Sequence, residues 1–258
     1  MTYRAVKFKA LLLYIKREKM IKFFRKIRRR LIAKGKLNSY LIYALGEIFL
    51  VVCGILIALQ INTWNEGRKN EKLERKIITE MKKNLQVDLS DVKWNINRNQ
   101  ILLQSNQNVL QHLQTRSPFV DSLETDFGNI MGNTQLVKNS SAYDNLKSLG
   151  FNLISNDSLR MSITNLYGAR YNYISNFEKI DDRFQWDNLY PAFRSNVELF
   201  KIWEKASPFA PAELVDNNNF KESLKMNIEL RQFAIGVYES LERDILTTIS
   251  LIDEELQD

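Results

Sequence analysis

Residues 40–61 read YLIYALGEIFLVVCGILIALQI, and no other stretch narrows the possible folds as much. As a helix these 22 residues span about 33 Å, close to the hydrocarbon thickness of a bilayer. From Ile48 to Leu59 the one side chain with any polarity is Cys53. A buried helix of a soluble domain is usually shorter and keeps a polar stripe. The length of the run, its distance from Met1 and the lack of a small-x-small cleavage site argue against a removable signal sequence. A transmembrane helix over 40–61 is the expectation. Tyr40, Tyr43 and Trp64 stand at its ends, where amphipathic rings settle at headgroup level.

Flanking charge sets the orientation. The net charge of +7 hides an asymmetry, because residues 1–39 hold fourteen Lys or Arg against the single acid Glu18. That arm carries +13 and, with Glu47 set aside, the rest of the chain carries −5. The pI of 9.3 therefore describes a basic arm on a mildly acidic body and does not point to nucleic acid. Arg25, Lys26, Arg28, Arg29 and Arg30 precede the span, whereas Glu66, Arg68, Lys69, Glu71 and Lys72 nearly cancel after it. Positive residues stay inside, so residues 1–39 are expected in the cytoplasm and 62–258 outside. Within the arm, Ile21, Phe24, Ile27 and Leu31 recur at helical spacing among Lys and Arg. A basic amphipathic helix of this kind suits the anionic headgroups of a membrane surface. Met20 is a second candidate start.

Glu47, Gly54 and Ala58 fall on one face of the span, seven and four residues apart. Gly54-x-x-x-Ala58 lets two helix backbones approach closely. One reading is a homo-oligomeric seam that shields Glu47 from lipid. The other is that Glu47 lies near the interface and reaches towards Lys34 or Lys36.

After Asn62 the pattern turns helical and polar. Leu73, Ile77, Met81, Leu85, Leu89, Val92 and Ile96 recur at three and four, which predicts a long helix to about Thr115, free to break in its polar second half. Ser117-Pro118 ends it. Asp121-x-x-Glu124 has the form of a capping box for a short helix closed by Gly132. Further helices are expected over 141–149, with Gly150 as a left-handed terminator, over 158–184 behind Asn156 or Asp157, and over 219–256. Pro191, Pro208 and Pro211 read as turns. With nine Gly and four Pro the chain is short of the turn material that sandwiches and barrels need. The fold class expected is all-α: one transmembrane helix plus an elongated antiparallel helical bundle.

Three segments carry a resemblance: MIKFFRKIR (20–28), YLIYALGEIFLVVCGILIALQINTWNE (40–66) and SAYDNLKSLGFNLISNDSLR (141–160). They resemble a family of membrane proteins from Gram-negative bacteria known as a domain of unknown function. The membrane block, GEI…GILIALQIN-W-NE, is its most specific part. The resemblance implies an inner-membrane protein with a periplasmic helical domain, with translation starting at the position of Met20. It brings no activity, and residues 1–19 depart from the pattern.

Chemistry is thin. The chain lacks phosphate-loop, dinucleotide, zincin and nucleophile-elbow motifs. One Cys, inside the span, excludes an intrachain disulfide and a thiolate zinc site, and one His, His112 in an Asn/Gln-rich helix, has no nucleophile near it in sequence. Asp181-Asp182 and Asp253-Glu254-Glu255 read as solvated or capping acids, since sequence neighbours point to different helix faces. No cofactor and no enzyme activity are expected. Tyr143, Asp144, Lys147, Asn156, Asp157 and Arg160 gather at a glycine-containing bend, either as a ligand or partner corner or as a corner fixed by caps. Tyr167, Tyr171, Tyr173, Phe177 and Trp186 are expected in the core. The function expected is a membrane-anchored interaction or sensor-like module that self-associates through its span and binds a protein partner or small ligand. The rivals are a scaffold that recruits membrane proteins and an envelope enzyme with an unrecognised carboxylate site.

Overall fold

The computed structural model describes residues 25, 26, 29 and 37–257. The chain divides into two units, Met1–Lys69 and Asn70–Asp258. Helix α1, Leu37–Thr115, contributes to both without a break. In the first unit its apolar side chains face outward: Phe49 and Leu50, for example, are 67 % and 70 % exposed. Among the described residues this is the one helix long and apolar enough to cross a membrane.

In the second unit, α1 ends where Arg116 takes φ 52°, one residue before Ser117-Pro118. A 3₁₀ turn, Asp121–Leu123, leads into the short helix α2, Glu124–Gly128. No side chain caps that turn, so the expected capping box does not form; Val120 holds the cap position in extended geometry. Residues 129–140 then run without helix or strand. Helix α3, Ser141–Leu149, a 3₁₀ turn, Phe151–Leu153, and α4, Asp157–Asn165, follow. Gly150 has φ 98° and ψ 135°, an extended positive-φ geometry rather than the left-handed helical one expected.

From α4 the chain stays helical much further than the sequence suggested. A π segment, Leu166–Arg170, joins α4 to α5, Tyr171–Phe184, and a second, Gln185–Leu189, joins α5 to α6, Tyr190–Arg194. Pro191 is no turn: it sits in the first turn of α6, where a missing N–H costs little. A hairpin of β1, Val197–Lys201, and β2, Lys205–Pro208, adds strands to a unit expected to be helical throughout. Helix α7, Pro211–Leu214, precedes α8, Asn218–Gln257, whose start is capped by the Asn217 side chain accepting from Phe220 N at 3.0 Å.

Contacts fix the directions. Arg75, Lys82, Lys93 and Arg116 of α1 and its end meet Leu256, Asp253, Glu242 and Asp216 in turn, so α8 runs antiparallel to α1. Glu74 reaches Ser155 and Asp88 reaches Tyr171, so α4–α6 runs parallel to α1. Between them residues 129–140 descend: Asn106 meets Ile130, Asn99 meets Thr134, Asp91 meets Val137 and Asp88 meets Asn139. The unit is an up-down-up-down arrangement whose second element is an extended strap in place of a helix. An extended chain rises about 3.3 Å per residue against about 1.5 Å for a helix, so the strap travels twice as far per residue as its neighbours.

Two apolar clusters fill the unit. One joins Ile77, Met81, Leu85 and Val92 of α1 to Ile163, Tyr171, Tyr238 and Ile245. The other, around the hairpin, joins Val109, Leu113, Phe127, Phe193 and Phe220. Tyr167, Tyr171 and Phe177 lie in the core as expected, but Tyr173 and Trp186 are 53 % and 62 % exposed.

Candidate functional site

A partly buried extended strap has a problem that a helix does not: its N–H and C=O groups find no partners along its own length, and orphaning the buried ones costs energy. Helix side chains supply the partners. Gly132 N donates to Gln185 Oε1 at 3.2 Å and Leu136 N to Glu178 Oε1 at 2.8 Å. Val137 N donates to Asp91 Oδ2 and Asn139 N to Asp88 Oδ1, both at 2.9 Å. The carbonyls are served in turn. Ile130 O accepts from Asn227 Nδ2 at 2.9 Å, Thr134 O from Tyr238 at 3.3 Å and Asn139 O from Tyr167 at 3.2 Å.

These partners are themselves tied together. Tyr171 donates to Asp88 Oδ2 at 2.6 Å and Tyr238 to Glu178 Oε1 at 2.7 Å. Asn227 donates to Asn106 at 3.0 Å and accepts from Gln185 at 2.8 Å. Arg231 is 0 % exposed, ion-pairs with buried Asp181 and donates to Asn99 Oδ1 at 2.9 Å. Burial pushes the carboxyls of Asp88 and Glu178 above their ordinary range, against the opposing pull of their hydrogen bonds. Burial raises the Tyr171 and Tyr238 hydroxyls as well, with the neighbouring carboxylates adding to it. The reading of Asp181 as a solvated or capping acid is therefore overturned: opposite Arg231 it faces inward.

The strap's first turn is latched by the hairpin. Trp203, at φ 65°, donates from its backbone to Gly128 O at 2.9 Å and from its indole to Met131 O at 3.1 Å. Its ring lies 4.3 Å from the Arg98 guanidinium carbon, a cation–π contact. Gly132 has φ +112°, and a Cβ there would sit 2.5 Å from the Trp203 indole nitrogen, so both backbone and space require glycine.

Of the corner predicted from sequence, the α3 side chains and the α4 side chains each find partners of their own. Asn156 caps α4 by accepting from Leu159 N at 3.1 Å and donates to Glu255 at 2.9 Å. Arg160 pairs with Asp157 at 2.6 Å and donates to Ile154 O at 3.2 Å. Asp144 accepts from Ser140 at 2.7 Å. Tyr143 stacks on Tyr167 with centroids 4.4 Å apart, and Lys147 is exposed. A groove of about 460 Å³ lies elsewhere, between α5 and α8, lined by Arg170, Tyr173, Phe233, Gly236 and Val237 among others.

In the first unit Gly54 and Ala58 are exposed, Glu47 is half-buried, and a Cβ added at Gly54 would meet nothing within 4 Å. Of the basic cluster, Arg25, Lys26 and Arg29 are helical and exposed, while Arg28 and Arg30 lie outside the described residues, as does the alternative start Met20. Among the described residues no group of three or more His, Cys, Asp or Glu is placed to hold a metal.

Fold and site together define a class: among the described residues, an all-α fold with one helix apolar enough to cross a membrane and a bundle organised around a partly buried extended strap. The chain belongs to the family of unknown function DUF6090, whose profile matches residues 47–188, more than half its length. The match begins at Glu47 and takes in the span face, the strap, the corner and α5. No curated protein and no solved structure gives a significant match.

Proposed function

We propose that this chain is a non-enzymatic, membrane-anchored interaction module of the inner membrane of a Gram-negative bacterium. Its N-terminal arm lies in the cytoplasm against anionic lipid, and its bundle stands in the periplasm and meets a protein partner. Copies self-associate through the Glu47, Gly54 and Ala58 face. One observation carries the reading: the buried acids Asp88, Glu178 and Asp181 are each engaged by the strap or by Arg231. A catalytic carboxylate needs a free acceptor facing substrate, whereas each of these three turns at least one oxygen to holding the fold. Orientation rests on the Lys/Arg excess before the span. The test is affinity purification of the full chain from crosslinked membranes, followed by mass spectrometry. The expected result is a reproducible second protein. Recovery of this chain alone, over several growth conditions, would sink the partner half of the proposal.

A further inference from the structure

The two halves of the strap are held by different chemistry. Residues 129–134 bury Asn129, Ile130 and Thr134. Their backbone meets amides that do not titrate: Gly132 N donates to Gln185, and Ile130 O accepts from Asn106 and Asn227. The Trp203 indole fixes this half further through Met131 O. Residues 135–140 bury no side chain fully: Leu136 and Ser140 are half-buried, and the others, Val137 at 75 % among them, are exposed. Three amides of this half end on carboxylates, Leu136 N on Glu178, Val137 N on Asp91 and Asn139 N on Asp88.

Those acids are crowded. Asp91 faces both Asp88 and Glu178, and Asp181 faces Glu178. Around them, Lys138 of the strap faces Asp88, Tyr171 of α5 donates to Asp88, and Tyr167 stands beside Tyr171. From α8, Tyr238 donates to Glu178 while Arg231 is taken up by Asp181. A protonated carboxyl still accepts an amide through its carbonyl oxygen, so docking survives protonation. In Glu178 both bonds fall on Oε1, which leaves Oε2 to carry the proton. Full ionisation instead sets Asp88, Asp91 and Glu178 as like charges along one short stretch of chain.

We propose that residues 135–140 form a pH-sensitive latch, docked while Asp88 and Glu178 hold their protons and released as these ionise, with residues 129–134 staying in place. Burial beneath the strap lifts both carboxyls above their ordinary range. The docked strap therefore binds protons more tightly than the released one. Raising the pH favours release, by up to about tenfold per pH unit for each proton lost. The latch needs neither a membrane nor a partner, so it goes beyond the reading as an interaction module.

The test is residue-resolved hydrogen exchange on the full chain in nanodiscs, from about pH 5 to about pH 8. Rates are divided by those of an unfolded chain at the same pH, which removes the chemistry of exchange itself. Protection at Leu136, Val137 and Asn139 is expected to fall as pH rises. It is also expected to stay below that of Gly132 and of Leu85 in the core, and to ignore low urea, which acts on openings that expose much surface. Protection at these three that does not change with pH overturns the latch. Protection equal to that of Leu85, with the same urea dependence, means that they open only when the whole unit unfolds, and overturns it too. Asp88→Asn combined with Glu178→Gln keeps an acceptor at both places and is expected to flatten the fall. An undiminished fall in a variant that still melts cooperatively contradicts the assignment to these two acids; where that variant does not fold, the native chain's pH and urea series decides.

Discussion

Between Leu41 and Ile61 the large apolar side chains of α1 are outside, whereas between Asp88 and Asn106 of the same helix four polar ones, Asp88, Asn95, Asn99 and Asn106, are fully inside. Each region inverts the usual partition for its own reason. Apolar groups facing outward along residues 41–61 fit a surrounding that is not water. Polar groups facing inward fit a neighbour that brings polar atoms with it, here the strap, which Asp88, Asn99 and Asn106 meet. Which side a residue faces is thus set by what lies across from it, and one helix serves both cases.

The strongest way to break the bundle half of this comparison is to strand a buried charge. Arg231→Ala leaves Asp181 without its cation in the interior, which costs about 3–5 kcal/mol. A thermal melt of the full chain in nanodiscs is expected to show it as a large fall in Tm; a change no bigger than that of an exposed-site variant would show that the pair is not structural. The matching challenge to the span is Ile55→Lys. A lysine at mid-helix costs about 2.5–3.5 kcal/mol of insertion. The variant is expected to become partly extractable by alkaline carbonate, and complete retention in the pellet would argue that Ile55 does not face lipid.

The strap gives a smaller, sharper effect. Asp88→Ala orphans Asn139 N and the Tyr171 hydroxyl, at about 1–3 kcal/mol. Asp88→Asn keeps an acceptor and is expected to lose less. The two also differ in pH dependence. The carboxyls of Asp88 and Glu178 are held above 3.8 and 4.5. A raised carboxyl binds its proton more tightly when folded, so its contribution is fully present below the unfolded value and is lost as pH rises through the folded one. Stability is expected to decline as pH climbs above the ordinary carboxylate range, and Asp88→Asn to flatten part of that decline. A melt series with identical slopes for both proteins would contradict the assignment. The smallest effects lie at the corner. Asn156→Ala removes a cap and costs about 0.5–2 kcal/mol, while Lys147→Ala changes stability by less than about 0.5 kcal/mol. A larger loss at Lys147 would mean that the corner holds more than its caps.

Much of this was legible in the sequence. The stripe from Leu73 to Ile96, the stop at Ser117-Pro118, helix α3 and the forty-residue α8 follow from periodicity and punctuation. The strap was not, because residues 129–140 have no period, and a backbone held by distant side chains leaves no local trace. Its partners did leave one. Asp88, Asn99 and Asn106 alternate with Val92, Leu102 and Val109 at core spacing, and Asn227 and Arg231 interrupt the apolar stripe of α8. Polar residues recurring on a core stripe announce a polar neighbour, and that signal was available. Pro191 misled because a proline in a first helical turn and a proline in a loop read alike when the preceding π segment is unseen. The hairpin was hidden for a similar reason: Trp203 and the glycines it needs, Gly128 and Gly132, lie far apart in sequence.

The central claim is that residues 41–61 pass through lipid and leave the bundle outside the cytoplasm. A reporter enzyme active only after export, fused behind Asp258 in cells carrying the full chain, tests it most directly. High activity there, with none when the reporter precedes Met1, is predicted. An inactive C-terminal reporter on a stable, membrane-bound fusion would contradict it.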